Sequence, residues 1–404
     1  MDILIVAQYL GDIEDLENNN SRFLYIADML AERKNTSVEI ATTNFLHNTK
    51  KHTDGNVKST KYNLTVLQEP GYPKNVCLKR FYSHKILSNN IKKYLESRKK
   101  PDCVYCAIPS LDVAYVVSEY CRKNHVRFII DIQDLWPEAF KMIFYIPVLS
   151  DLIFKPMEIK ANKIYRQADE IIAVSDTYCQ RGKSVNDKCS CTHTVFLGTN
   201  LTDFDEHVSN NANDLVTKKE NELWLAYCGT LGHSYDLTIV FDALKKISDT
   251  GVKPPKFIIM GDGPKFSEFE NYANELGVDC YFAGRLPYPK MCRLLSECDM
   301  AVNPIVSGAA QSIINKHGDY AAAGLPVLNT QESLEYRNLV EQYQMGINCN
   351  CGDSKDLEKE LLVLLHDKNK RNKMGKNSRK CAEEKFDRKE SYKDICSLIT
   401  RGES

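Results

Sequence analysis

The sequence has no apolar run long enough to cross a bilayer, which excludes a membrane-spanning helix as its organising element. It shows no secretory leader: Met1-Asp-Ile-Leu-Ile-Val-Ala7 has no basic start, is too short for an h-region and reads as a buried first strand. The expected location is therefore cytoplasmic. It has no excess of one charge either, with 53 Lys/Arg against 54 Asp/Glu, and this balance argues against a general nucleic-acid binder. No short-period repeat and no low-complexity tract is present. Cysteine is plentiful at 15, but Cys189-Ser-Cys191 and Cys349-Asn-Cys351 lack the usual zinc spacing, so free thiols in a reducing compartment and no metal site are expected.

What is present is alternation. Short apolar runs such as Ile3–Ala7, Val38–Thr42, Cys103–Ala107 and Phe128–Ile132 alternate with helical patterns such as Ser21–Arg33, Ser83–Lys99 and Val113–Asn124. Strands joined by helices imply parallel pairing and a doubly wound α/β sheet. At 404 residues two domains are the default. The polar stretch 201–221, with Ser209-Asn-Asn-Ala-Asn213, reads as a linker, after which the pattern restarts at Trp224–Cys228. The expected division is an N-terminal domain over 1–200 joined by the C-terminal helix 386–404, and a C-terminal domain over 222–385. Charge is uneven along this plan: residues 1–200 carry 27 Lys/Arg against 23 Asp/Glu, net +4. Most of the excess lies in Lys74–Lys100, which reads either as a surface for phosphate or anionic lipid or as a solvated helix face. The apolar aromatic stretch Phe140–Phe154 reads either as a dip into a membrane interface or as a buried hinge.

Several segments carry candidate chemistry. In Gln311-Ser-Ile-Ile-Asn-Lys-His-Gly-Asp-Tyr-Ala-Ala-Ala-Gly-Leu-Pro-Val327 a polar loop feeds a closely packed helix, and a helix entry is a ready anion site. Lys316 lies near that entry and Asp319 could bind a hydroxyl; an amphipathic helix facing water is the plainer alternative. Two glycine turns follow strands, Cys228-Gly-Thr-Leu-Gly232 and Gly261-Asp-Gly263-Pro264, and glycine lets a backbone approach a phosphate. Neither matches a dinucleotide or P-loop fingerprint. Gly284-Arg285-Leu286-Pro287 offers backbone toward the same place. Asp131-Ile-Gln-Asp-Leu-Trp-Pro-Glu138 sets carboxylates at the end of a strand, where active sites form, and an acid there could orient an acceptor hydroxyl or take its proton. Trp136 also suits a core anchor. Gly11 follows the first strand, and Asn18 to Ser21 suit a helix cap or a loop facing the ligand.

Taken in order, these motifs resemble glycosyltransferase family 4, and Asp134-Leu-Trp-Pro-Glu138 is similar to its branch making capsular and O-antigen polysaccharides. The resemblance implies the GT-B fold: two Rossmann-like domains facing across a cleft, with the C-terminal helix crossing back. It implies metal-independent, retaining transfer from a nucleotide-diphosphate sugar, UDP-linked by expectation, to a saccharide or lipid-linked acceptor in surface polysaccharide synthesis, with no cofactor and with contact to the inner face of the cell membrane. Catalysis would fall to Asp134, Lys316 and Gln311. The donor would meet Gly11, Gly229, Thr230, Leu231, Gly261, Asp262, Gly263, Arg285, Leu286, Ser312, Ile313, Asn315 and Asp319, and the acceptor Gln133, Trp136 and Glu138. Gln311 departs from the family's Glu, and the Arg–Lys pair that many relatives carry after the first glycine turn is missing. Lys316 and Arg285 would carry more of the diphosphate. A sugar-nucleotide epimerase of the same fold and a non-catalytic nucleotide-sugar-binding partner are the alternatives.

Overall fold

The computed structural model describes residues 1–11, 13–16, 20–54, 59, 61–143, 149–210, 212–309 and 313–401. The chain divides into two compact units, Met1–Val195 with Tyr392–Ser404, and Phe196–Ser391.

Unit 1 runs β1 (Asp2–Val6), α1 (Arg22–Ala31), β2 (Ser37–Thr43), the short hairpin β3 (Phe45–Leu46) and β4 (Lys51–His52), β5 (Asn63–Leu67), α2 (Leu78–Ser97), β6 (Cys103–Ile108), α3 (Leu111–Asn124), β7 (Arg127–Ile132), α4 (Glu138–Ile143), α5 (Leu149–Gln167), β8 (Glu170–Ala173), α6 (Asp176–Lys183) and β9 (Thr192–Thr194). Its sheet has the order β5-β2-β1-β6-β7-β8-β9, and each neighbouring pair is parallel. Helices cover the sheet, so its central strands are apolar on both faces; Cys103–Ile108 is buried throughout.

Unit 2 runs α7 (Leu201–Asn210), β10 (Trp224–Cys228), α8 (Thr238–Asp249), β11 (Lys256–Met260), α9 (Phe266–Leu276), β12 (Cys280–Gly284), α10 (Tyr288–Ser296), β13 (Met300–Asn303), α11 (Asn315–Ala322), β14 (Val327–Asn329), α12 (Leu334–Tyr343), β15 (Gly346–Asn348), α13 (Ser354–His366), α14 (Lys368–Cys381), a π turn at Ala382–Phe386 and the start of α15 (Arg388–Thr400). Its parallel sheet is ordered β12-β11-β10-β13-β14-β15. The order reverses between β10 and β13, and a doubly wound sheet opens a crevice at the carboxyl ends of such a pair.

One expectation changes. The stretch 201–221 was read as a linker, yet its first half is helix α7. Leu201 and Phe204 are buried in the core of unit 2, Val208 packs against that core, and the ring of His207 meets Tyr288 at 5.9 Å. The spacing of those apolar residues is helical, and the polar residues between them face outward. The expected C-terminal helix is α15, and it is separated from α14 by the π turn ending at Phe386 and a break at Asp387. Phe386 is buried in unit 2, and its carbonyl accepts the Thr199 N–H at 2.8 Å before the chain re-enters helix at Arg388. A side chain on Gly198 would meet that carbonyl at 2.4 Å, so this crossing requires glycine. Beyond it, Tyr392, Ile395, Cys396, Leu398 and Ile399 are buried in the core of unit 1.

Candidate active site

In unit 2 the site is built where β10 and β13 part. Tyr320 of α11 pins the helix there: its hydroxyl donates to the Val302 carbonyl at 3.2 Å and accepts from the Cys228 N–H at 3.0 Å. One turn earlier on the same helix is Lys316, whose residue is 6% exposed. Its ammonium lies over the rings of Tyr227 and Tyr235, at 4.1 and 3.7 Å from their centroids. Among the described residues it has no hydrogen-bond acceptor and no carboxylate partner. Burial alone pushes its amine down to about 7, because a charge removed from water is disfavoured unless something compensates it.

The first glycine turn closes over this ammonium. An added Cβ on Gly229, whose φ is +137°, would lie 3.0 Å from Lys316 Nζ. The amides of Gly229 and Leu231 are spent on the Met260 and Asp262 carbonyls, at 2.9 Å each. Leu231 and Ile313, both expected on the donor side, have buried core side chains. Thr230 is exposed at the tip of the turn.

The second glycine turn serves the first. A Cβ on Gly261 would meet the Gly229 carbonyl oxygen at 1.8 Å, and one on Gly263 the Leu231 carbonyl oxygen at 2.3 Å. These glycines permit turn-on-turn packing. Asp262 is exposed, and its carboxylate accepts the Gly263 N–H at 2.7 Å. Gly261→Ala is expected to cost unit 2 about 1–3 kcal/mol, the usual range for overpacking, and to weaken anion binding by shifting the turn above Lys316. Urea unfolding and UDP titration measure the two effects.

Asp319, one turn after Lys316, is partly buried. Its Oδ1 accepts from Thr199 Oγ1 at 2.9 Å and Tyr288 OH at 3.0 Å. Burial pushes its carboxyl up, and the two hydroxyl bonds oppose that. Its Oδ2 has no hydrogen-bond partner among the described residues. His317 stacks on Tyr336 at 3.5 Å between ring centroids, accepts the Ile314 N–H at Nδ1 and faces Asn303 through Nε2, which ties the start of α11 to β13. Asn315 and Arg285 are exposed, and Leu286 packs against the core. Gln311 and Ser312 lie outside the described residues.

Unit 1 holds a separate polar site at the carboxyl ends of β1 and β2. A pocket of about 90 Å³ is lined by Gln8, Tyr9, Gly11, Thr43 and His47, among others. Behind it Arg80 stands over Trp136, Tyr72 and Tyr9, at 4.7, 5.4 and 5.9 Å from the rings, and donates to the Tyr9 hydroxyl at 3.0 Å. Glu69 is buried, accepts from Gln8 and Ser83, and burial pushes its carboxyl up. Burial first, and then Arg80 among the nearby cations, pushes His84 down to about 3 and contributes to His47 at about 4, so both rings are neutral near pH 7. Trp136 belongs to this cluster: it stacks on His84 at 5.9 Å and on Phe140 edge-to-face at 4.8 Å. Its indole N–H donates to Asp134 at 3.1 Å, and burial pushes the Asp134 carboxyl up.

Two residues expected on the acceptor side have partners within unit 1. Glu138 is held by Arg181 at 2.5 Å, as an ion pair between α4 and α6. Gln133 donates to Asp131 at 2.6 Å, and Asp131 is itself fully buried against Arg22. Glu138 keeps one buried oxygen, Oε2, without a hydrogen-bond partner among the described residues. Sequence reasoning missed Arg80, His84 and Glu69. Arg80 was merged into the basic run, although Arg80, Ser83, His84, Leu87 and Ile91 share the helical spacing of one buried face. For a metal, one group of donors among the described residues lies close enough: Glu170, Cys191 and His193, within 4.8 Å of one another on β8 and around β9.

Residues 210–381 match the family model described as Glycosyl transferases group 1. No curated protein sequence matches the chain. Solved structures similar along the whole length include HepE of Anabaena in complex with UDP, at 15% identity and TM-score 0.69 with 99% of this chain and 100% of that one covered. A sucrose-phosphate synthase of Thermosynechococcus elongatus is similar at 15% identity and TM-score 0.73, with 98% of each chain covered. WaaG, a glycosyltransferase involved in lipopolysaccharide biosynthesis, is similar at 15% identity and TM-score 0.67, with both chains fully covered. The chain thus has the GT-B fold of two Rossmann-like halves, and residues 210–381 of its second half are similar to the glycosyl transferases group 1 model.

Proposed function

We propose that this chain is a retaining, metal-independent glycosyltransferase that uses a UDP-linked sugar, with unit 2 holding the donor and unit 1 a saccharide or lipid-linked acceptor for surface polysaccharide synthesis. The observation that carries the reading is the buried Lys316 ammonium, which has no anionic partner among the described residues and lies beneath a glycine turn at the carboxyl end of a doubly wound sheet. A buried cation is costly unless paired, and a diphosphate at the turn supplies the pair. Negative charge grows on the departing diphosphate, so a fixed cation there stabilises the transition state without a metal. Asp319 Oδ2 then takes a ribose hydroxyl, and Asp134 is the acceptor-side carboxylate. The UDP complex of HepE, a structural neighbour, and the family match over 210–381 support the choice of donor.

Incubation with a labelled UDP-sugar and candidate acceptors tests the reaction. Label appearing in a glycoside with its anomeric configuration kept supports the proposal. A donor inverted at C2 without transfer means an epimerase, and binding with neither outcome means a non-catalytic partner.

Binding should also depend on pH. With its amine at about 7, Lys316 is mostly neutral at pH 8 in the free protein, and an adjacent diphosphate favours the charged form. UDP binding at pH 8 is therefore expected to take up roughly one proton, and affinity to fall about tenfold per pH unit above 7. Calorimetry in buffers of different ionisation enthalpy measures the uptake; no uptake would remove the diphosphate from Lys316.

A further inference from the structure

We infer that unit 1 carries a zinc site at the edge of its sheet, formed by Glu170, Cys191 and His193, with a water as the fourth ligand. Strand register brings the three residues together. β8 and β9 pair in parallel with Ile171 opposite Thr192 and Ile172 opposite His193, so one step earlier Glu170 falls beside Cys191. Side chains alternate across a strand, which puts Cys191 and His193 on one face and Thr192 and Thr194 on the other. Thr194 bears this out: its hydroxyl donates to Cys179 Sγ of α6 at 3.4 Å and to the Asp176 carboxylate. Cys189 is buried and is not one of the three donors.

The donor atoms stand at the spacing of a tetrahedral site. His193 Nε2 lies 3.4 Å from Glu170 Oε2 and 3.6 Å from Cys191 Sγ, and the three donor atoms all fall within 4.8 Å of one another. Zn–N and Zn–O bonds of about 2.1 Å and a Zn–S bond of about 2.3 Å give tetrahedral edges of about 3.4 Å from N to O and about 3.6 Å from N to S. A ring nitrogen carries one proton or one lone pair, so it serves one such neighbour well; an ion between them serves both. Outer contacts hold the ligands in place. Arg127 lies 3.6 Å from the other Glu170 oxygen, Oε1, and donates to the Ile399 and Arg401 carbonyls at 3.0 Å each. The Asn186 side chain accepts the Lys188 and Cys189 N–H groups at 2.8 and 2.9 Å, and the Cys189 thiol donates to the Cys191 carbonyl at 2.7 Å, which fixes the turn that delivers Cys191.

The donor set selects the ion. Thiolate, imidazole and carboxylate together suit zinc, whereas Mg²⁺ and Ca²⁺ take oxygen ligands. The thiolate and the carboxylate neutralise its double charge. Among the described residues Cys191 is the one exposed cysteine, and Glu170 and His193 are partly open, so the ion enters from solvent and a water completes its shell. β9 is a three-residue strand at the edge of the sheet, and the chain leaves unit 1 after Val195. The ion clamps this short strand to β8 and, through Glu170 and Arg127, to the end of α15. Its role is structural: the site shares no residue with the two candidate sites above, and it stands whether or not the chain transfers sugar.

Metal titration of the full chain, stripped with EDTA and kept reduced, tests this without donor or acceptor. The chain is expected to take up about one equivalent of Zn²⁺ in competition with a chromophoric chelator. Co²⁺ in its place is expected to show a thiolate charge-transfer band and the visible bands of a tetrahedral ion. Cys191→Ser, His193→Gln and Glu170→Gln are each expected to weaken Zn²⁺ binding by more than about 100-fold, beyond what loss of an outer partner costs. Cys351→Ser, at another partly open thiol, is expected to leave binding unchanged. In EDTA, Cys191→Ser and His193→Gln are expected to melt close to the wild type, and added Zn²⁺ to raise the melting temperature of the wild type alone, which separates loss of the site from loss of the fold. No uptake of Zn²⁺, a thiolate band that persists in Cys191→Ser, or equal affinity in wild type and ligand variants overturns the inference.

Discussion

Lys316→Met is expected to yield a protein that is more stable than the wild type in the absence of ligand and inactive in transfer. The stability sign follows from the direction of the pKa. The folded amine lies near 7 and the unfolded one at its ordinary value of 10.5, so between these values the unfolded state binds more protons. Folding is disfavoured increasingly as pH falls from 10.5 toward 7, and the cost is fully present below 7. A fall of this size corresponds to roughly 5 kcal/mol against the charged form. The rings of Tyr227 and Tyr235, at 4.1 and 3.7 Å, are what the ammonium has for partners in the free protein. Methionine fills the same slot without a charge, so a gain of about 1–3 kcal/mol is expected in urea unfolding at pH 7. On the proposed function, transfer loses the cation set against the departing diphosphate, and a loss of about 10²–10³ in kcat is expected, by analogy with removing one oxyanion donor. A stable variant that still transfers sugar at the wild-type rate would separate Lys316 from the chemistry. A variant that loses both stability and activity would make it a structural residue.

The fold was legible in the sequence because a doubly wound sheet shows itself through local pattern. Each βα step needs an apolar run, a turn and an amphipathic stretch, and these recur from Ile3 to His366. The restart after Asn221 marked a second sheet. Helix α7 was hidden because its apolar residues Leu201, Phe204 and Val208 stand among acidic and polar ones, and composition outweighed their spacing. The candidate site was legible only in part, because its chemistry depends on contacts remote in sequence. That Lys316 lies near an anion site followed from its helix entry; that it is buried against Tyr227 and Tyr235 did not. Glycine marks close approach without saying to what: Gly229 makes room for an ammonium, and Gly261 makes room for Gly229. The engagement of Asp319 by Thr199, 120 residues away, left no local trace. The strand-end carboxylates were singled out as a group, but burial divides them. Asp134 is a candidate for chemistry and Asp131 belongs to the frame.

Asp131→Ala is accordingly expected to be among the most destabilising single changes in unit 1, at about 3–5 kcal/mol. Asp131 is fully buried at the end of β7, where Oδ2 accepts from Arg22 Nε at 2.7 Å and from the Tyr105 hydroxyl, and Oδ1 accepts from Gln133. Arg22 begins α1, donates also to the Val195 carbonyl at 2.9 Å, and lies 4.7 Å from the ring of Tyr392. This one carboxylate thereby joins β7, β6, α1, the end of β9 and the returning C-terminal helix. Removing it leaves the guanidinium buried without its counter-charge, and breaking a buried pair from one side costs far more than the pair contributes net. Replacing both partners by apolar residues of similar size, Arg22→Met with Asp131→Leu, should recover much of the loss, because neither charge is then stranded. Nucleotide binding provides the discriminating readout. Lys316 and the glycine turns belong to unit 2, so UDP affinity measured well below the melting temperature should stay within about twofold of wild type in Asp131→Ala. A large fall in UDP affinity with little loss of stability would instead place Asp131 in the donor site.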